Sequence, residues 1–179
     1  TTLLKPQTME ISMPSDKEDV KEENQSQVAA SKAITILIDE NNTLYYFKGK
    51  PDGGTDIPNE GKLFATTYGK NGLRKVLLES NPQAVKAVQA LKDKYARMVS
   101  WNVQLEQKQK AQFKEELNKI KNAEYTPSVI IKASDKATYD NLIQVLDEMQ
   151  ICSIGRYVID KFADGDRLKI EALKNGTAQ

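Results

Sequence analysis

The sequence predicts an α+β fold: a small mixed β-sheet, made of one hairpin and one strand-helix-strand unit, with helices packed on one face and an extra helical insertion between them. Three observations carry this. Ala33-Ile34-Thr35-Ile36-Leu37-Ile38 and Ser128-Val129-Ile130-Ile131-Lys132-Ala133 are short, apolar and β-branched, which suits strands and is too brief for a stable helix. Tyr139, Leu142, Ile143, Leu146 and Met149 then recur at helical spacing, and Arg156-Tyr157-Val158-Ile159-Asp160 returns to strand character. The apolar period thus changes from two to about 3.6 and back, the mark of a crossover unit.

In chain order, residues 1 to about 32 contain Pro6, Pro14 and the polar run from Asp16 to Gln27. Too few apolar groups are present there to offset the entropy of ordering, so the segment reads as a flexible linker, with a charged solvated helix as the alternative. Glu40-Asn41-Asn42 supplies turn chemistry between the first strand and Thr43-Leu44-Tyr45-Tyr46-Phe47, giving a hairpin. Gly49 to Gly72 is rich in Gly, Pro, Asp and Asn and reads as a long surface loop with a short extended piece near Phe64 to Tyr68.

Leu73 to Leu78 forms an amphipathic helical turn, and Asn81-Pro82 places proline where a helix can restart. Ala84, Val88, Leu91, Tyr95 and Met98, then Leu105, Phe113, Leu117 and Ile120, continue an apolar stripe through two helices or one bent one. Packing of this stripe on the sheet is preferred to a dimeric coiled coil, because Asn102 and Gln109 break it after a few heptads. Pro127 ends the helical region. The run from Ser128 should be a central strand buried on both sides, Asp135 and Thr138 are candidate caps for the helix after it, and Asp166 to Lys174 suits a short terminal helix.

Composition removes whole classes of chemistry. Histidine is absent and Cys152 is the single cysteine, so a Ser-His-Asp triad, a Cys-His pair and a thiolate or imidazole metal site are excluded. Lys and Arg number 26 against 25 Asp and Glu, so no global charge excess is available to hold nucleic acid or an anionic membrane. No run of about 18 apolar residues occurs, so the chain as given does not span a bilayer. Cys152, at the end of an apolar helical pattern, reads as a packed small hydrophobe.

Individual motifs give little support for catalysis. Gly61-Lys62 lacks the earlier glycine and the following Ser or Thr of a phosphate loop, Leu63 standing there instead. Asp39 and Glu40 adjoin a hairpin turn where acidic residues are favoured anyway, so turn chemistry is preferred to an acid-base pair or a cation site. Asp135 and Lys136 follow a strand, where α/β enzymes place catalytic groups, yet capping accounts for Asp135. Trp101 reads as a core plug in preference to an aromatic recognition surface with Tyr95. The chain is expected to be no enzyme and to need no cofactor.

The run Pro127-Ser128-Val129-Ile130-Ile131-Lys132-Ala133-Ser134-Asp135-Lys136-Ala137-Thr138-Tyr139 resembles the signature of the ExbD/TolR family of biopolymer transport proteins: a strand, an Ala-x-Asp-Lys step and a Tyr opening the next helix. Leu142 to Met149 and Ile154-Gly155-Arg156-Tyr157-Val158-Ile159 are similar to the family's second helix and closing strand. Ile34 to Ile38 with Leu44 to Phe47 resembles its first hairpin, and Met9-Glu10-Ile11-Ser12-Met13-Pro14 its post-membrane Leu-Pro step, with Met13 replacing leucine. Pro14, Asp135, Lys136 and Tyr139 are therefore the family-motif residues. Short family members lack much of what lies between about Gly49 and Ala123.

The resemblance implies a division into a post-membrane linker, residues 1–32, and a periplasmic domain, residues 33–179, with an insertion at about 49–123. It implies a parent anchored in the inner membrane by a helix ending near Leu4, the proton-carrying aspartate lying in that helix and outside this chain. Family members act as dimers inside an ExbB-like pentameric channel and pass proton-driven motion to a TonB-like protein. The alternative is a TolR-like domain that binds peptidoglycan. An exposed sheet edge recruits an extended partner strand through backbone hydrogen bonds, so Tyr157, Val158 and Ile159, or the first hairpin, are the expected partner-contact or self-pairing edge.

Overall fold

A computed structural model describes residues 31–55 and 57–176. Of the predicted linker, residues 1–32, positions 1–30 lie outside the described residues, as does the motif residue Pro14. Five strands form one sheet: β1 (Ala33–Ile38), β2 (Leu44–Lys48), β3 (Phe64–Thr66), β4 (Ser128–Ala133) and β5 (Tyr157–Lys161), in the spatial order β3-β2-β1-β4-β5. The pairs β3·β2 and β2·β1 are antiparallel, whereas β1·β4 and β4·β5 are parallel, so the sheet is mixed as expected. Around it lie α1 (Leu73–Glu79), α2 (Pro82–Ala96), α3 (Val103–Lys121), α4 (Tyr139–Ile151) and α5 (Asp164–Lys174).

The hairpin register follows from its turn. Asn41 and Asn42 adopt φ of 58° and 59°, and Thr43 N–H donates to the Glu40 carbonyl at 3.1 Å. Two consecutive left-handed residues make a type I′ turn, whose twist matches that of the flanking strands and which asparagine tolerates. Ile38 therefore pairs with Leu44 and Ile34 with Lys48. Since strand side chains alternate, Ile34, Ile36 and Ile38 face one side, with Val129 and Ile131 of β4, beneath Leu73 and Leu77 of α1 and Val145, Leu146 and Met149 of α4.

Helices on one face describes α1 and α4, and the structure adds a cover on the other face. There Leu37, Tyr45, Phe47 and Leu63 pack against Ile170 of α5. This makes β1 the middle strand, buried on both sides. The expectation that β4 would be central and doubly buried is corrected: β4 is interior but half-open, Ile130 and Lys132 being only partly covered. Its apolar run resembled a doubly buried strand because sequence does not show how far α5 reaches.

A second correction concerns the insertion. Stripe residues Ala84, Val88 and Leu91 of α2 are buried, but α3 buries none of its residues. The two helices form an antiparallel hairpin that packs chiefly on itself: Tyr95 meets Phe113 edge-on at 5.3 Å and donates to Glu116 at 2.6 Å. The expected packing of this stripe on the sheet is not what forms. Trp101, expected in the core, is 84% exposed at the turn between the helices. Among the described residues no helix is long and apolar enough to cross a membrane.

Candidate functional site

The best candidate is β5, the outer strand among the described residues, and the strand-end turns beside it. Tyr157 and Ile159 direct their side chains to the core under α4, and Val158 lies half-buried on the opposite face. Val129 N–H donates to the Arg156 carbonyl at 2.9 Å, so the alternation of a parallel ladder turns the N–H and C=O of Ile159 and Lys161 away from β4. The Lys161 N–H is taken by Asp160 Oδ1 at 2.7 Å. A shallow groove lined by Asn122, Ser128, Ile130, Gly155, Arg156 and Val158 adjoins the start of this strand. Of the two edges expected from sequence, the first hairpin is not one: β1 is flanked by β2 and β4, and β2 by β1 and β3.

The motif stretch after β4 is explained by what it holds. Ser134 Oγ donates to Asp39 Oδ1 at 2.7 Å, Lys136 Nζ lies 3.5 Å from Glu40, and Asn141 Nδ2 donates to Asn42 at 2.8 Å. The first two contacts fasten the turn after β4 to the turn after β1, and the third fastens the first turn of α4 to it. Thr138 caps α4, its hydroxyl accepting from Asn141 N–H while Asn141 Oδ1 accepts from Thr138 N–H, both at 3.2 Å. This reciprocal box satisfies two amides that a helix start leaves unpaired. Asp135 is thereby corrected: it is an exposed turn residue and caps nothing, Thr138 having the cap position. Tyr139, the first residue of α4, is 59% exposed.

Asp39 is the residue whose role the turn reading missed. Its side chain is fully buried and accepts from Arg167 Nη1 at 2.7 Å and Nη2 at 3.0 Å as well as from Ser134. The Arg167 guanidinium, opposing the desolvation of burial, holds the carboxyl well below the usual carboxylate range. Such a carboxylate is a poor proton acceptor for the adjacent Ser134 hydroxyl. Beside it, Lys132 meets Asp166 at 3.2 Å, and Asp166 Oδ2 also accepts from Ala163 N–H at 2.8 Å. Both pairs fasten α5 across the strand ends. Nothing in the sequence joins Asp39 to a residue 128 positions later.

The remaining long loop is held from inside. Glu60 accepts from Lys50 N–H at 2.9 Å and from Thr55 N–H at 2.7 Å, with the Thr55 hydroxyl as a third donor. Gly61, at φ +71°, lies against the Pro51 carbonyl where any Cβ would collide. These amides face a carboxylate of the chain itself, which is not the arrangement of a phosphate cradle. No group of three or more His, Cys, Asp or Glu residues among the described residues is placed to hold a metal ion.

A family model described as "Biopolymer transport protein ExbD/TolR" matches residues 1–163. The match takes in all five strands and ends just before α5. No curated protein and no solved structure gives a match.

Proposed function

The chain belongs to the ExbD/TolR family of biopolymer transport proteins, and from that premise we propose that it is the periplasmic, force-receiving arm of a proton-motive-force-driven complex of the ExbB-ExbD-TonB type, which powers outer-membrane transport. The family consists of non-enzymatic, membrane-anchored transport accessory proteins that work with ExbB/TolQ-type partners. In our reading the parent is anchored in the inner membrane, residues 33–179 stand in the periplasm, and the stretch at about 49–123 is an insertion in the family domain. The observation that carries the proposal is the family match over 163 of 179 residues.

A transmitting arm needs a rigid body and a place for its partner to grip. Doubly buried β1 and the cross-tied strand ends supply stiffness, and β5 supplies an outer strand. An extended TonB-like segment would add to β5 alongside Tyr157, Val158 and Ile159, and self-pairing of two copies would use the same edge. Pull-down with a TonB periplasmic fragment, set against sedimentation with purified peptidoglycan, tests the assignment. Capture by the TonB fragment is expected. Ile159→Pro should abolish it, because proline removes an outward N–H and leaves the β4 ladder intact. Sedimentation with peptidoglycan alone would instead place the chain in the TolR-like branch. Binding to neither, or unaltered capture of a folded Ile159→Pro variant, would refute the proposed arm.

A further inference from the structure

We propose that the tip of the α2–α3 hairpin is a membrane-surface anchor that seats Trp101 and its apolar neighbours in the headgroup region of an anionic bilayer. The tip gathers four exposed apolar side chains within six residues: Met98 at 37%, Val99 at 64%, Trp101 at 84% and Val103 at 66% exposure. The turn that presents them is ordered by Asn102, whose Oδ1 accepts from Leu105 N–H at 2.8 Å. Exposing four neighbouring apolar side chains, a tryptophan among them, to water is unfavourable, so their retention at a tip points to a surface that covers them.

Charge identifies that surface. Residues 82–121 carry nine Lys or Arg and four Asp or Glu, a net charge of +5, whereas the whole chain carries +1 and the rest therefore −4. Near the tip, Lys92, Lys94, Arg97, Lys108 and Lys110 stand against Asp93, Glu106 and Glu116, the last paired with Lys94 at 3.0 Å, a net +2. Among the described residues, Lys92, Arg97 and Lys108 form no ion pair. Basic residues flanking exposed Trp and Val are what an anionic lipid interface selects, the indole settling at headgroup level and each cation adding attraction.

Shape argues the same way. The helices, of 15 and 19 residues, make an arm about 22–28 Å long, ending in a small convex knob. Stable protein interfaces bury about 800 Å² on each partner, more than four side chains on a tip supply, whereas interfacial anchors need sink only about 5–10 Å. The arm is rooted at the end of the sheet where β1 begins: Gly155 N–H donates to the Lys121 carbonyl at 3.0 Å and Lys32 Nζ to the Glu124 carbonyl at 3.1 Å. In a membrane-anchored family, the chain entering β1 is also the chain that leads from the bilayer.

Trp101 is the single tryptophan, so its fluorescence reports on the tip in the intact chain. With vesicles of equimolar phosphatidylglycerol and phosphatidylcholine at low salt, its emission should shift to the blue and be quenched by brominated acyl chains. Pure phosphatidylcholine should produce neither effect, and added salt should reverse both. The Val99→Ser/Val103→Ser variant keeps the reporter and should bind these vesicles roughly tenfold or more weakly. Unchanged emission with anionic vesicles would overturn the proposal, as would undiminished binding by the double variant. A blue shift that grows with protein concentration in the absence of lipid would also overturn it, assigning the knob to a second copy. Because no TonB fragment or peptidoglycan takes part, failure here leaves the proposed function standing, and the reverse holds.

Discussion

Replacing Arg167 with alanine should leave a buried carboxylate with one hydroxyl partner, and the size and pH dependence of the loss can be worked out from the geometry. Asp39 is fully buried and held by two guanidinium contacts, at 2.7 and 3.0 Å. Breaking a buried pair from one side costs about 3–5 kcal/mol. Since 32% of the Arg167 side chain is exposed, water can enter the vacated space and solvate the carboxylate in part, which lowers the expected cost to about 2–3 kcal/mol. At about 2–4 °C per kcal/mol for a chain of this size, Tm should fall by roughly 5–10 °C near neutral pH.

The pH dependence has a definite sign. In the native chain Asp39 is held below its ordinary pKa, so its contribution is complete above about pH 4 and is lost as pH falls. In Arg167→Ala, burial without the guanidinium raises that pKa, so the variant loses stability as pH rises through it. The gap between the two proteins must therefore be widest near neutrality and narrow on acidification. Urea titrations across this range measure it, and Asp39→Asn in the Arg167→Ala background should recover at least about 1 kcal/mol. A gap below about 1 kcal/mol at neutral pH, or one independent of pH, would refute the reasoning.

Three further substitutions or reagents probe other layers. Ile36→Ala empties a fully buried site of the central strand and should cost about 2–5 kcal/mol by urea midpoint; a change under 1 kcal/mol would mean that the two faces are less tightly packed than described. Thr138→Ala removes the α4 cap and should cost about 1 kcal/mol, whereas Asp135→Ala, in the exposed turn, should stay within about 0.5 kcal/mol. Burial pushes the Cys152 thiol up to about 12, so iodoacetamide at mildly alkaline pH should alkylate the native chain at least about a hundredfold more slowly than the urea-unfolded chain. Equal rates would show that the thiol is accessible.

What was legible from sequence was local. The hairpin turn could be read because Glu40-Asn41-Asn42 carries turn chemistry, its type I′ geometry coming from the backbone angles of Asn41 and Asn42, and α4 could be read because its apolar residues recur every three or four positions. The restart of α2 at Pro82 was legible for a similar reason, proline being unable to donate in a first turn where no acceptor exists. The strand-turn-helix run from Ser128 to Met149 even carried the family resemblance. Each of these signals is produced by neighbours within a few residues.

The candidate site was legible only in outline. That β5 would be a strand followed from its composition, but that it lies outermost among the described strands, and that the first hairpin is closed off on both sides, depends on the order of those five strands. Sequence assigned Asp39 to turn chemistry and Asp135 to a cap, because a carboxylate beside a turn looks the same whether or not an arginine reaches it. Arg167 arrives only after α5 has folded back across the strand ends.

The sequence by itself determined the kinds and order of the elements, the absence of imidazole chemistry and membership of a family, since periodicity, turn residues and composition act over short range. Tertiary structure alone decided that β1 and not β4 is doubly buried, that α3 leaves the sheet uncovered and that Trp101 stands in solvent. The physical reason is that an apolar stripe records a side chain's preference for burial, whereas the partner that buries it is chosen by packing among segments distant in the chain.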